Sequence, residues 1–449
     1  MTRMIRNLAI GLATLALAAG CSKITAIDRP AVQPGSADFT RFVALGTSLA
    51  AGTESGGTVE RHQPYSYANQ FARVIGGAPF DRYTIDQDGI DTFDTGPVFN
   101  LLSLDPLIIG ATGHVKGTAG NQALATDYHN LGVPGAWLFD VADSIHCYHP
   151  ADPYYHTAHF PWVARHRGTL LHQVARIQPT FITFEYGANE ILGPSTQGSG
   201  TVFFDVLTWS LLLRGTLDGL FAVAPNAKVA IFTVPDPTDV PFARTFSWIT
   251  RDDLGAPAPL IGPSGPLAAG TLVLLTAGDS LARGTGFPVG SHSYLTGAPG
   301  NGRPLRDDQI LTPAEAASLQ AAVQGYNAAI ATEASSRGYA VVDLHAVFKD
   351  IAADGLSYGG QHYTTAFVTG GLFSLDGIHP SDLGYGIMVN ALIDAVNQKY
   401  GAVIPRVDLS TCLTASSYRM TPAPGGRVPY VRDAERLYAS MFPARDLPR

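Results

Sequence analysis

Four short stretches of the sequence carry residue types that can act together on a carbonyl carbon. Gly46-Thr47-Ser48-Leu49 follows the apolar run 42–45, which puts a serine hydroxyl at the carboxyl edge of a buried strand, the edge where α/β sheets bind ligands. Asp376-Gly377-Ile378-His379-Pro380 sets a carboxylate three residues ahead of an imidazole, on a turn before a helical pattern. Such a carboxylate can hold one ring nitrogen and leave the other to take a serine proton. Asn189 closes another apolar strand, and its amide can donate to an oxyanion. Asn130-Leu131-Gly132-Val133-Pro134-Gly135-Ala136 places glycines at a turn, where the missing side chain lets a backbone N–H approach a ligand. Taken singly, each stretch also has a plain structural reading. Ser48 can be a turn residue or helix N-cap, Asp376 a cap beside an unrelated histidine, and Asn189 and the glycines turn formers.

The elements that must position these residues follow from the hydrophobic pattern. Residues 42–45, 181–184, 229–234 and 340–344 are short continuous apolar runs, the signature of strands buried on both faces of a parallel sheet. Helical patterns fall near 65–76, 137–145, 167–178, 202–223, 313–337 and 382–399. Strands alternating with helices predict an α/β fold, a parallel sheet between two helix layers. Three stretches rich in Gly, Pro, His or aromatics interrupt the alternation at 77–127, 146–166 and 235–312; long loops of this kind usually serve as lids or binding surfaces. The proline-bearing segment 401–449 reads as a wrapping tail, with one short helix at 431–441.

The 449 residues are 46% hydrophobic and 15% charged, with a formal net charge of −8, which excludes a disordered chain. The acidity and the lack of any Lys/Arg cluster argue against a nucleic-acid partner. Glycine and proline, 48 and 31 residues without a fixed period, exclude coiled coils and collagen and point to long loops. Arg3 and Arg6, the apolar stretch 8–17 and Ala18-Ala19-Gly20 before Cys21 form a secretory signal peptide over 1–20. The stretch is shorter than the roughly 20 residues that cross a bilayer, against a retained anchor. Leu17-Ala18-Ala19-Gly20-Cys21 resembles a bacterial lipobox, which implies a lipidated Cys21, a tether over 21–39 and a body held at the cell envelope. Ser22 after the cysteine implies the outer membrane where the cell has one. Outside the cytosol Cys147 and Cys412 can pair if the fold brings them within reach, or stay as two buried thiols.

Taken in order, Ser48, Gly135, Asn189 and Asp376-x-x-His379 resemble the motifs of the SGNH hydrolases, also called GDSL-type lipases and esterases. The resemblance implies a three-layer α/β/α, flavodoxin-like fold over 40–400, the three insertions aside, and metal-free, cofactor-free hydrolysis of acyl esters. It implies Ser48 as nucleophile, His379 as general base and then acid, and Asp376 as the residue that orients it. The oxyanion hole would be the Ser48 and Gly135 N–H groups with the Asn189 side chain, Gly135 being preferred to Gly132 by its distance from Asn130. Two positions depart from the family: Thr47 replaces the aspartate of Gly-Asp-Ser-Leu, and Glu190 replaces the aspartate of Asn-Asp. Acyl preference is expected to come from the insertions, with Phe93, Phe99, Leu101, Leu102, Tyr154 and Tyr155 walling a pocket.

A competing constellation is the tract holding His146, His149, His156, His159, His166 and His172. Its His-x-x-His spacings beside Cys147 and Asp152 could ligate zinc, or the tract could be an aromatic loop packed over the sheet edge. The leading expectation is a lipid-anchored esterase or lipase whose partners are a membrane and an ester, either an acyl lipid or an acetylated glycan. The alternatives are a carbohydrate O-acetyl esterase of the same fold, a non-catalytic surface binding lipoprotein, and a metal-dependent hydrolase.

Overall fold

The structure, a computed structural model, describes residues 31–76, 80–91, 98–104, 107–111, 116–152, 155, 157–417 and 427–442. The signal peptide and Cys21 expected from the sequence lie outside the described residues.

Five strands form the central sheet: β1 (Phe42–Gly46), β2 (Asn130–Gly132), β3 (Phe181–Phe184), β4 (Lys228–Phe232) and β5 (Ala340–Val342). They lie in the order β2-β1-β3-β4-β5, every neighbouring pair parallel, with Leu45 opposite Phe184 and Gly46 opposite Gly132. This is the flavodoxin-like order, whose switch point, the crevice where such sheets bind ligands, falls between β1 and β3. Every residue of β1 and β3 is buried, so their sequences read as unbroken apolar runs rather than as an alternation.

Helices cover the sheet in two groups. α1 (Ser48–Ala51) is a single turn leaving β1. α2 (Tyr67–Ile75), α7 (Leu344–Asp354) and α8 (Asp382–Tyr400) pack together, as do α3 (Leu170–Ile177), α5 (Val206–Val223) and α6 (Pro313–Arg337). Their limits are written in the sequence. α6 begins at a Thr312/Glu315 capping box with proline in its first turn, and ends where Gly338 turns left-handed, a residue choice that costs nothing only without a Cβ. α4 (Asn189–Ser195) is the short helix after β3.

Three local expectations differ from the structure. The helix expected at 137–145 is one 3-10 turn, Leu138–Val141, because the Asp143 carboxylate draws the N–H groups of Ile145 and His146 into a turn. Residues 130–132, read as a turn, form β2 at the sheet edge. α7 was not expected at all, although Asp343 caps it by accepting from the Ala346 N–H.

The insertions and the tail are joined. Within 77–127, Asn100–Leu104 pairs antiparallel with Leu107–Gly110, and tail residues Tyr430–Val431 add a parallel strand to that pair. The last described element of the tail is α9 (Ala434–Met441), starting three residues later than the pattern suggests. The stretch 235–312 is built of short hairpins, among them Ile249–Arg251 with Pro257–Pro259.

The Cys147–Cys412 pairing is not formed. Cys412 is a free, buried thiol that donates to Gln70 Oε1 on α2 at 3.1 Å. It fills the space left by Gly386 on α8, where a Cβ would lie 2.9 Å from its sulfur. Cys147 belongs to the turn His146–Tyr148, which packs on the short helix Phe160–Ala164.

Candidate active site

Ser48 opens α1, and the backbone that presents it is anchored from behind. The Thr47 N–H donates to Glu185 Oε2 at 2.9 Å, and the Thr47 hydroxyl donates to the same carboxyl group at 3.0 Å. Gly46 is required by that contact, since a Cβ there would stand 2.9 Å from Glu185 Oε2 and 2.8 Å from the Ala50 Cβ. Burial pushes the Glu185 carboxyl up to about 8. Thr47, the departure from the family motif, is therefore the residue that docks the strand end onto β3's exit.

The Asp376 loop supplies the partner. His379 Nε2 lies 3.0 Å from Ser48 Oγ, and His379 Nδ1 lies 2.8 Å from Asp376 Oδ2. Asp376 Oδ1 accepts from the Ile378 and His379 N–H groups, both at 2.8 Å, and from the Ser374 hydroxyl at 3.1 Å; Oδ2 also accepts from the Gly56 N–H at 2.7 Å. Burial pushes this carboxyl up, but the His379 ring and the donors around it outweigh burial and hold it below the usual carboxylate value. It is thus ionised and fixed, with the imidazole tautomer set by its hydrogen bond. Gly377 takes φ +69° to close the loop.

Asn189 begins α4 and donates through Nδ2 to the Ala136 carbonyl at 2.8 Å, which leaves its second amide hydrogen free for another acceptor. The same bond ties it to the loop of Gly135, whose φ of +78° requires glycine. Gly132 packs differently: a Cβ there would lie 2.6 Å from the Ala51 nitrogen, so this glycine seats α1 against β2. Glu190, the second departure, accepts from the Leu138 N–H at 2.7 Å and from the Trp209 indole at 3.4 Å, and burial pushes it up to about 7. It locks α4 to the 3-10 turn and to α5.

Ser48, Asn189 and His379 open on a pocket lined chiefly by Leu49, Leu192, Pro235, Val240, Phe348 and Ile378. Of the side chains expected to wall it, those among the described residues lie elsewhere. Phe99 is turned inward onto Tyr438 and onto Gly56, while Leu101 and Leu102 belong to the strand paired with 107–110. Tyr155 is not in the lining, and Phe93 and Tyr154 lie outside the described residues. Among the described residues of the three insertions, only those of 235–312 reach the pocket.

Four histidines of the tract have structural partners. His159 is buried, its Nε2 bonded to the Asp91 carbonyl at 2.6 Å and its Nδ1 to the Tyr83 hydroxyl at 3.2 Å; burial pushes it down to about 4. His166 stacks on Tyr148, His146 pairs with Asp143, and His172 completes the cap of α3. His156 lies outside the described residues. Sequence reasoning missed Gly56, Ser374 and Tyr438. The first two hold the Asp376 carboxylate, and the Tyr438 hydroxyl donates to the Asp376 carbonyl at 2.7 Å. No periodicity marks them: Gly56 and Tyr438 meet the loop from distant parts of the chain, and Ser374, two residues before Asp376, is one turn hydroxyl among many.

No protein-family model and no curated protein matches the chain. Among solved structures it is similar to a phospholipase A1 from Streptomyces albidoflavus and to an extracellular lipase from Streptomyces rimosus. Each is 14% identical with a TM-score of 0.31, over 80% of this chain and 98% of the other. It is also similar to a protein from Parabacteroides merdae classed as GDSL-like, 11% identical with a TM-score of 0.34, over 82% of this chain and all of the other.

Proposed function

We propose that this chain is a serine hydrolase of carboxylic esters, with Ser48 as nucleophile. The observation that carries the reading is the continuous hydrogen-bonded line from Asp376 through His379 to Ser48, ending at the mouth of an apolar pocket. A serine hydroxyl attacks an ester only if its proton leaves as the bond forms. His379 Nε2 takes that proton, Asp376 stabilises the imidazolium, and the same imidazolium then protonates the leaving alcohol. The tetrahedral oxyanion is met by the free Asn189 amide hydrogen, with the Ser48 and Gly135 N–H groups as the other donors. Water then repeats the sequence on the acyl-enzyme.

The apolar lining favours an acyl chain over an acetyl group, which puts a lipid or fatty ester ahead of an acetylated glycan as substrate. The lipobox-like segment supports a site of action at the cell envelope, with a tether through lipid on Cys21. A panel of esters of increasing acyl length, together with phospholipids, tests the reading with the native protein and with Ser48→Ala. Hydrolysis that prefers acyl chains longer than acetyl and that Ser48→Ala abolishes is the expected result. Hydrolysis retained in Ser48→Ala, or none on any ester, overturns it.

A further inference from the structure

The hairpin that holds the Asp376 carboxylate carries a second cluster of polar groups that ester hydrolysis does not use. Its strands are Thr53–Glu54 and Gly57–Thr58; the Gly56 N–H at its tip reaches Asp376, and Glu54 stands two residues earlier. Asp382 opens α8, three residues after His379. His62 closes over both: its Nδ1 lies 3.1 Å and 3.2 Å from the two Asp382 oxygens and 3.2 Å from Glu54 Oε2. Glu54 is fully buried, and apart from the His62 ring nitrogen beside Oε2 neither of its carboxylate oxygens has a hydrogen-bond partner. An unsatisfied carboxylate of that kind is costly unless something of opposite charge meets it.

We propose that Glu54, His62 and Asp382 form a binding site for one divalent transition-metal ion, Zn²⁺ or Mn²⁺, which clamps the hairpin to the start of α8. Among the described residues this is the group whose His and carboxylate ligand atoms all lie within 4.8 Å of one another. The separations of 3.1–3.2 Å fall between the ligand–ligand edges of octahedral and tetrahedral shells, about 3.0 and 3.4 Å for bonds of about 2.1 Å. Two carboxylates balance a dication, and an imidazole among them selects against Ca²⁺ and Mg²⁺, which take oxygen shells. The Asp382 carboxylate is itself oriented: the Thr414 hydroxyl donates to Oδ2 at 2.5 Å, and the Asp382 N–H is held by Ser416 Oγ at 3.1 Å. Bonds of this sort to the ligands are what metal sites need. A cavity lined by His62, Asp382, Thr414 and Ser416 gives the ion a path from solvent and room for water.

One contact must change on binding. Arg61 Nε donates to His62 Nε2 at 3.0 Å, a bond that keeps the ring hydrogen on Nδ1. A metal on Nδ1 needs that lone pair, so the hydrogen moves to Nε2 and the exposed Arg61 side chain swings away. Arg61 therefore opposes the ion.

The inference does not depend on the esterase reading. The full chain, stripped with chelator, is titrated with Zn²⁺ and separately with Mn²⁺, following heat, bound metal per chain and Tm. One ion per chain with a rise of several degrees in Tm is expected for the native protein and equally for Ser48→Ala. Glu54→Gln should weaken binding by tenfold or more, Arg61→Ala should bind at least as tightly as native, and His146→Ala should match native. No stoichiometric ion on the native chain overturns the proposal and leaves a pair of carboxyls sharing a proton. Native-like binding by Glu54→Gln, or loss of binding in Arg61→Ala, overturns it too. If Glu54→Gln does not fold, the native and Arg61→Ala titrations decide.

Discussion

Asp376 and Glu185 are both buried carboxyl groups within two contacts of the same serine, yet the fold treats them oppositely. Asp376 is held below its usual value and ionised, whereas Glu185 is pushed up to about 8 and carries a proton at neutral pH. Burial acts on both in the same direction, so burial does not decide. The donors do: Asp376 faces the His379 ring, three backbone N–H groups and the Ser374 hydroxyl, while Glu185 faces only the N–H and hydroxyl of Thr47, with Glu190 nearby adding a like charge. A carboxylate kept charged can stabilise a charge that develops on its neighbour. One kept neutral can only dock. The region in front of Ser48 suits the first task, which the proposed hydrolysis needs, and the region behind it suits the second.

The largest effect should come from erasing the charge in front. Asp376→Asn puts an amide where the Gly56 N–H and the His379 ring both need an acceptor. The ring then takes the wrong tautomer, and turnover should fall by about three to four orders of magnitude with little change in KM. Steady-state kinetics on the best ester of the panel measures this. A loss under tenfold would mean that the Asp376 charge is dispensable and that the contrast with Glu185 has no catalytic meaning. Next in size is Asn189→Ala, which removes the proposed side-chain oxyanion donor and should lower kcat about a hundred to a thousandfold. An effect confined to KM would instead make Asn189 a pocket wall.

The region behind is probed through stability. A carboxyl whose folded value is raised from 4.5 to about 8 binds a proton in the folded state that the unfolded chain has lost. Folding stability should therefore be greatest below about pH 4.5 as far as this group is concerned, and should fall as pH rises toward about 8. The slope is at most about 1.4 kcal/mol per pH unit. Glu190, raised to about 7, adds to the decline over the lower part of that window. Glu185→Gln stays neutral at every pH and should flatten the slope, as read from urea unfolding at stepped pH. An unchanged slope would place Glu185 among ionised carboxylates and remove the contrast.

Much of this was legible in the sequence for a reason that also explains the gaps. The sheet could be read because a strand buried on both faces is apolar throughout, as in residues 42–45 and 181–184. β2 could not, because Asn130–Gly132 is three residues long and spends its asparagine on the Ala50 carbonyl. Asp376 and His379 share one loop, so their spacing shows. Gly56 and Tyr438 act on that loop from distant parts of the chain, and nothing local distinguishes a glycine N–H or a tail tyrosine that will meet a carboxylate from one that will not. The pocket failed as an expectation on the same ground. Apolar and aromatic content in 77–127 suggests a pocket wall, but Phe99 is buried against the tail rather than against the serine.

The smallest effect is expected from the tail. Tyr438 packs edge-on against Phe99 and Phe242, with ring centroids 5.5 and 4.7 Å apart, and its hydroxyl donates to the Asp376 backbone carbonyl. It touches the loop but not the carboxylate. Tyr438→Phe keeps the rings and deletes one buried hydrogen bond, which should cost about 1 kcal/mol of stability and appear as a lower urea midpoint at unchanged slope. Activity should fall by less than tenfold, because the five donors on the Asp376 side chain remain. A loss approaching that of Asp376→Asn would show that the loop's position, and so its charge, is held by the tail rather than by its own donors. The contrast between the front and the back of Ser48 would then rest on a helix more than fifty residues further along the chain.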